Sequence, residues 1–195
     1  MFNELKNTVR VSILPFVRWV PLTPNSLTII GLLTSIWAAA VFATGDLSGA
    51  ALLILLSGFF DMIDGAVARA KGRMTAFGAV LDSVCDRYAD AIIFAGIIYG
   101  VIAGRILQTA VLSVPLWLWV VFAIIGSYLV SYVRSRAEAA GVESMNIGVA
   151  ERPERMMILV AGSLSAYLGE SIVIIVVLTH ITIIQRLLYA KRSLE

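Results

Sequence analysis

The chain has 195 residues, of which 59% are hydrophobic and 14% are charged, and its formal net charge is +2. Because soluble domains carry about 25% charged residues, this composition excludes an ordinary soluble domain and favours an integral membrane protein. The single cysteine, Cys85, excludes an internal disulfide. The basic residues form no motif that reads a nucleic-acid groove, so we expect no nucleic-acid partner.

Residues 1–20 predict an amphipathic helix that lies on the inner membrane surface. Apolar residues recur there at helical spacing, while Lys6 and Arg10 fall on other faces. This pattern is typical of interfacial helices, and Pro21 and Pro24 would end the helix. We therefore divide the chain into an interfacial helix at 1–20 and a membrane domain at 21–195.

Six apolar stretches of near membrane-spanning length fill the membrane domain. The predicted helices are Leu27–Thr44, Ala50–Ala70, Phe77–Val101, Trp117–Arg136, Met156–Leu168 and Ile172–Leu188. The expected fold class is an all-α integral membrane protein with six transmembrane helices preceded by the amphipathic juxtamembrane helix. In this arrangement nearly all basic residues fall on one side, so the positive-inside rule predicts a cell-membrane protein with both termini in the cytoplasm.

Four carboxylates interrupt two of the most apolar stretches. Asp61 and Asp64 are three residues apart and Asp82 and Asp86 are four apart, so each pair shares a helical face. A carboxylate at membrane depth costs about 2.5–3.5 kcal/mol, and no packing need explains four. The polar connector 71–75 predicts a hairpin that brings both pairs together on the cytoplasmic side. Two divalent cations would cancel the four charges, and oxygen ligands favour magnesium.

Small and basic neighbours of these carboxylates favour a metal–diphosphate site. Gly65 and Gly78 let a bulky ligand approach the helix backbone, and Arg69 lies on the aspartate face. The segment Asp61-x-x-Asp64-Gly65-x-x-Ala68-Arg69, followed after eight residues by Gly78-x-x-x-Asp82-x-x-x-Asp86, resembles the signature of the CDP-alcohol phosphotransferase family.

This resemblance implies a site and a reaction. The four aspartates would bind two Mg²⁺ ions, with Mn²⁺ as an alternative, and Asp86 would also act as the general base. An alcohol hydroxyl would attack the lipid-linked phosphorus of a CDP-lipid, and CMP would leave. Family members also suggest a homodimer. The residues implied in CDP-lipid binding are Pro24, Asn25, Ser26, Leu27, Gly65, Arg69, Thr75 and Gly78.

A second group of charged residues bears on the acceptor. Several arginines fall near the predicted cytoplasmic ends of the last three helices, where they could converge on a dianionic phosphate. The segments 131–138 and 151–155 also resemble the inositol-phosphate branch of the family, the phosphatidylinositol phosphate and archaetidylinositol phosphate synthases. The expected substrates are therefore a CDP-lipid and inositol phosphate. The expected acceptor-phosphate residues are Ser131, Arg134, Arg136, Arg152, Arg155 and Arg186.

The residues leave several alternatives open. The arginines could instead face anionic lipid headgroups, and the acceptor could be glycerol phosphate or another polar alcohol. A cation transporter is a further alternative, although transporters scatter charges along a path through the bilayer. No residue distinguishes CDP-diacylglycerol from CDP-archaeol. We expect Asp90 to pair with Arg87 or with a polar group of another helix, and His180 to be a hydrogen-bonded interior residue.

Overall fold

The computed structural model describes residues 21–107 and 110–195, and the interfacial helix predicted at 1–20 lies outside the described residues. Six helices occur in the described ranges: α1 (Pro24–Thr44), α2 (Leu47–Ala70), α3 (Ala76–Ile102), α4 (Leu116–Ala139), α5 (Arg152–Leu164) and α6 (Leu168–Leu194). Between α3 and α4 in the chain, β1 (Ala110–Val111) pairs antiparallel with β2 (Val114–Pro115). The all-helical class is confirmed, and each predicted helix corresponds to one observed helix. The predicted end of the fifth helix at Leu168 is wrong, because α5 ends at Leu164 and Leu168 begins α6.

Capping groups explain where several helices begin. Each of the first three helices follows a side chain whose oxygen accepts a backbone N–H of the first turn; these side chains belong to Thr23, Asp46 and Thr75. The predicted start of α2 at Ala50 is wrong by about one turn, because the Asp46 cap precedes the apolar run. α5 begins at Arg152 rather than Met156, because Pro153 fits the first turn of a helix.

Four of the described helices, α1, α2, α4 and α6, are long and apolar enough to cross a membrane. The chain is therefore a multi-pass membrane protein. α3 has 27 residues, but its first half carries several charged side chains. α5 has 13 residues, which corresponds to about 20 Å, whereas the hydrocarbon core of a bilayer is about 30 Å thick. The prediction of six transmembrane helices stays a prediction.

One end of the helix bundle, which we call the polar end, collects most of the charged side chains. The turn at 71–75 reverses the chain between α2 and α3. α5 begins at the same end, because Arg152 contacts Asp61 of α2. At the opposite end, a Cβ placed on Gly45 after α1 would overlap the backbone of Arg105 after α3. The chain therefore returns to the polar end after α2 and leaves it again along α3.

Arg186, near the end of α6, connects α6 to α4 and to the loop before α5 at the polar end. Its guanidinium donates to the backbone carbonyls of Val130 in α4 and Ile147 in the loop that precedes α5. The C-terminal parts of α4 and α6 and the start of α5 therefore lie side by side. Together with the hairpin of α2 and α3, they enclose the space at the polar end.

The main hydrophobic core joins the two halves of the molecule. Its buried side chains come from all six helices, and the large ones among them include Phe42, Phe94, Ile97, Leu159 and Ile172. Small residues bring α1 and α3 close together, because a Cβ on Gly96 would overlap the backbone of Ala39. This packing holds the helices that carry the charged side chains at fixed positions.

Candidate active site

Three carboxylates converge at the polar end. Asp61 in the last turns of α2 and Asp82 and Asp86 in the first turns of α3 each offer one oxygen, and these oxygens lie within 4.8 Å of one another. We call these three residues the carboxylate cluster. The spacing of each pair along its helix and the reversal at 71–75 together produce the convergence that the sequence predicts.

Asp64 lies beside the cluster but is directed toward α1. It is 6% exposed, and its Oδ2 accepts a hydrogen bond of 2.6 Å from the Thr28 hydroxyl. No sequence signal identifies Thr28, because a threonine in an apolar helix has many ordinary roles. The bond ties the position of one carboxylate oxygen to α1 rather than to the hairpin alone.

The donor set fits a divalent cation. The cluster offers carboxylate oxygens only, which are the ligands that Mg²⁺ and Mn²⁺ prefer. The buried Oδ1 of Asp82 has no hydrogen-bond partner among the described residues. A buried carboxylate oxygen without a partner is costly, and a bound cation would remove that cost. Asp61, Asp82 and Asp86, with Asp64 beside them, could therefore hold metal.

Arg152 lies inside the acidic group. Its Nη1 is 3.0 Å from Asp61 Oδ1 and 2.7 Å from Asp86 Oδ1, and its Nε donates over 3.0 Å to Asp90 Oδ1. Burial works against the charge of this guanidinium, and the negative charges of Asp90, Asp86 and Asp61 compensate for it. The sequence places Arg152 among the acceptor residues and does not reveal that it also bridges three aspartates.

Asp90 connects Arg152 to Arg155. Its side chain is 5% exposed, and its Oδ2 accepts from Arg155 Nη2 over 2.9 Å. The prediction that it pairs with a polar group of another helix is confirmed, and both partners come from α5. Arg87, the alternative partner, lies 3.4 Å from Asp86 instead. The sequence carries a signal for Asp90, because it is four residues beyond Asp86 and extends the same helical face.

A cavity of about 940 Å³ opens between α2, α3 and α5, and we call it the large cavity. All four signature aspartates line it, together with Gly65, Arg69 and Arg152. Its apolar wall includes Leu55, Phe59, Met62, Met156 and Met157. Its volume lies near the upper end of the range of about 300–1,000 Å³ for ligand pockets. The cavity therefore combines a polar floor with an apolar wall.

Two of the eight predicted CDP-lipid residues, Gly65 and Arg69, line the large cavity. A Cβ on Gly65 would lie 3.3 Å from Arg69 Nη1, so the guanidinium folds over the glycine. The other six residues lie at the starts of α1 and α3: Pro24, Asn25, Ser26, Leu27, Thr75 and Gly78. These two starts are neighbours, because a Cβ on Gly78 would lie 3.4 Å from Asn25 Oδ1.

A smaller cavity of about 180 Å³ adjoins the cluster, and we call it the arginine cavity. It is lined by five of the six predicted acceptor residues: Ser131, Arg134, Arg152, Arg155 and Arg186. The sixth, Arg136, is exposed and does not line it. The two cavities share only Asp86, Arg152 and Pro153 among their described lining residues. These residues therefore form the boundary between the two cavities.

Two arginines of this cavity are almost completely buried. Arg155 and Arg186 are each 2% exposed. Arg155 Nη1 donates to the carbonyl of Ala150 over 2.9 Å, and its buried Nε has no partner among the described residues. Arg186 is fixed by the two backbone carbonyls described above. Arg134 differs, because its half-exposed ion pair with Glu138 is of a kind that contributes little to stability.

His180 is not part of either cavity. Its Nδ1 lies 2.8 Å from the carbonyl oxygen of Val176 in the preceding turn of α6. The predicted hydrogen bond is confirmed, and the side chain is half-buried. Cys85 is buried between the aspartates of α3, as expected for a packed thiol.

Comparisons with known proteins agree with this geometry. A family model described as CDP-alcohol phosphatidyltransferase matches residues 21–185. The archaetidylinositol phosphate synthase of Methanothermobacter thermautotrophicus is 39% identical over an alignment of 201 positions, gaps included. The alignment covers 100% of this chain and 96% of that protein.

Two crystal structures of the phosphatidylinositol phosphate synthase of Mycobacterium tuberculosis also resemble this fold. The structure with CDP-DAG bound has a TM-score of 0.78 and 32% identity and covers 94% of each chain. The structure with manganese and citrate has a TM-score of 0.79 and 32% identity, and covers 93% of this chain and 88% of the other.

Proposed function

Because the chain belongs to the CDP-alcohol phosphatidyltransferase family, we propose that it transfers the lipid phosphate group of a CDP-lipid to a hydroxyl of inositol phosphate and releases CMP. The observation that carries the acceptor assignment is the arginine cavity, where five arginines line a space directly beside the carboxylate cluster. Guanidinium groups match a dianionic phosphate, whereas a neutral or zwitterionic acceptor would not need this charge. The names of the relatives support the same acceptor.

The carboxylates of Asp61, Asp64, Asp82 and Asp86 would hold the metal cofactor. We propose two Mg²⁺ ions, with Mn²⁺ as a substitute; the manganese in the related synthase structure supports a divalent ion. When bound, these ions would neutralise the diphosphate and the departing CMP oxygen.

The large cavity would receive the CDP-lipid. Arg69 would pair with the diphosphate, and Gly65 would let it approach α2. The starts of α1 and α3, at Pro24–Leu27, Thr75 and Gly78, would contact the nucleotide. The apolar wall would receive the start of the lipid chains, which can belong to diacylglycerol or to archaeol.

Asp86 would act as the general base. It lines both cavities, so its carboxylate lies between the expected positions of the phosphorus and the acceptor hydroxyl. The acceptor oxygen would form a bond to phosphorus, the bond from phosphorus to CMP would break, and the hydroxyl proton would pass to Asp86. Ser131, Arg134, Arg152, Arg155 and Arg186 would orient the acceptor phosphate. Arg136, which lies outside the cavity, would meet anionic lipid headgroups.

We also propose the membrane arrangement. All six helices would cross the membrane, with α5 aided by its flanking residues, and residues 1–20 would lie along the inner surface. The alternating direction of the helices supports six crossings, and the basic residues at the polar end support a cytoplasmic site and cytoplasmic termini. Two copies of the chain would form a homodimer.

A CMP-release assay tests this function. Purified protein in detergent would receive Mg²⁺, CDP-diacylglycerol or CDP-archaeol, and one acceptor from a panel of inositol phosphate, glycerol phosphate, inositol and serine. We expect inositol phosphate to give the highest kcat/KM and EDTA to abolish release. A higher kcat/KM with glycerol phosphate would overturn the acceptor assignment. CMP release that persists in EDTA would overturn the metal assignment.

A further inference from the structure

Arg152 stands at the boundary between the two cavities and contacts two of the three carboxylates that a metal ion would use. Its Nη1 contacts Oδ1 of both Asp61 and Asp86, and these residues supply two of the three cluster oxygens. A guanidinium and a divalent cation cannot both bind the same lone pairs of these carboxylates at full strength. The doubly charged ion approaches oxygen to about 2.0–2.1 Å, so its attraction is the stronger.

Asp90 holds Arg152 from the other side. Asp90 does not belong to the cluster, and its Oδ1 accepts from Nε of Arg152 over 3.0 Å. Nε lies nearer the backbone than the two terminal nitrogens do. If Arg152 leaves Asp61 and Asp86, its planar guanidinium can pivot as a rigid unit about the hydrogen bond between Nε and Asp90. The same carboxylate also binds Arg155, so Asp90 holds two arginines of the arginine cavity in position.

We propose that Arg152 is a positioning residue that changes partners, from Asp61 and Asp86 to the acceptor phosphate, when a divalent cation binds, and that Asp90 is its pivot. This inference rests on the proposed function. It assigns Asp90, which is no part of the signature, a role in positioning the acceptor. Its consequence is coupling: metal binding releases a guanidinium fork toward the acceptor, and by reciprocity the acceptor strengthens metal binding.

Metal affinity in the absence of substrates tests the first half of the proposal. Mn²⁺ would be titrated into EDTA-washed wild-type protein, Arg152→Gln and Arg192→Gln in detergent, and free Mn²⁺ would be measured by electron paramagnetic resonance. We expect Arg152→Gln to bind Mn²⁺ about tenfold more tightly than wild type, because the competing guanidinium is gone. Arg192→Gln removes the same charge from the exposed end of α6 and should match wild type.

The outcomes separate this inference from the proposed function. Unchanged or weaker Mn²⁺ affinity in folded Arg152→Gln would overturn the inference alone. No Mn²⁺ binding by the wild type would overturn the metal site and the inference with it. If Arg152→Gln does not fold, Arg152→Lys provides the test. Lysine keeps the charge but lacks the fork that reaches Asp90 and the cluster together, so we expect about threefold tighter binding, and no change would overturn the inference.

Acceptor affinity tests the coupling. Inositol phosphate would be titrated calorimetrically into the wild type and into Arg152→Gln, each with and without saturating Mn²⁺. The direct attraction between metal and phosphate is common to both proteins, so the difference between their Mn²⁺ effects isolates Arg152. We expect Mn²⁺ to raise the affinity about tenfold more in the wild type. Equal Mn²⁺ effects in the two proteins would overturn the coupling.

The KM values for the two substrates test the role of Asp90. Asp90→Asn keeps the shape but loses the charge that orients both arginines. We expect it to raise the KM for inositol phosphate about tenfold and to leave the KM for the CDP-lipid within about twofold, with partial rescue in Asp90→Glu. A parallel rise of both KM values would overturn the role of Asp90.

Discussion

The carboxylate cluster and the arginine cavity share Asp86, and Arg152 contacts the cluster and lines the cavity, yet the chain builds them in different ways. The cluster comes from a single hairpin, residues 61–86, and one of its buried oxygens has no partner among the described residues. The buried arginines come from α5 and α6 and are bound by carbonyls or by Asp90. The cluster thus has a carboxylate oxygen available to bind a cation, whereas the arginines of the arginine cavity are held in position by tertiary contacts. Metal chemistry is therefore encoded locally, and acceptor selection depends on how the last three helices pack.

The largest effect should follow from removing a charge from the cluster. We expect Asp82→Asn to lower CMP release at least about 100-fold, because the transition-state charge loses its counter-ion. Its melting temperature in EDTA should not fall, because the substitution removes a buried charge whose Oδ1 has no partner among the described residues. CMP release and a thermal melt of the same preparation would measure both. Asp46→Asn is the matched control, because asparagine also caps a helix; near-normal release by Asp82→Asn would contradict the local encoding.

A smaller effect should follow from the other region. We expect Arg155→Gln to raise the KM for inositol phosphate about 10–100-fold, since a charge-assisted contact is lost, and to change the KM for the CDP-lipid by less than about threefold. It should also lower the melting temperature, because the buried Asp90 loses one of its two arginine partners. Arg136→Gln, outside the cavity, should change neither KM. Equal rises of both KM values in Arg155→Gln would contradict a separate acceptor region.

The difference between a site built within one hairpin and a site built by helix packing also determines what the sequence predicts. The four aspartates were found because their spacing is helical and their cost at membrane depth is high. Helix boundaries were missed where a cap or proline decides, as at Asp46 and Pro153. The bridging contacts of Arg152 could not be predicted, because residues 152 and 61 meet only through the packing of α5 on α2.

Asp90 and Thr28 show two kinds of limit. Asp90 carried a visible signal, a charge on the aspartate face, but its partners on α5 are distant in sequence. Thr28 carried no signal, since its hydrogen bond to Asp64 joins α1 to α2 across 36 residues. Chemistry that depends on spacing within one hairpin is readable, whereas contacts that select among neighbouring helices require the fold.

The smallest effect tests whether the cluster is purely local. Thr28→Val keeps the shape of the side chain and removes the 2.6 Å hydrogen bond to Asp64. The helix still places Asp64, and only the orientation of its carboxylate is freed, so we expect CMP release to fall about three- to tenfold at limiting Mg²⁺ and to recover at high Mg²⁺. Thr44→Val is the control, because the Thr44 hydroxyl bonds within its own helix. A Mg²⁺ dependence identical to that of the wild type would mean that α1 supports the site by packing alone. A shifted Mg²⁺ dependence would mean that α1 also orients a metal-binding carboxylate. In that case even the carboxylate cluster depends on one contact with a distant part of the chain.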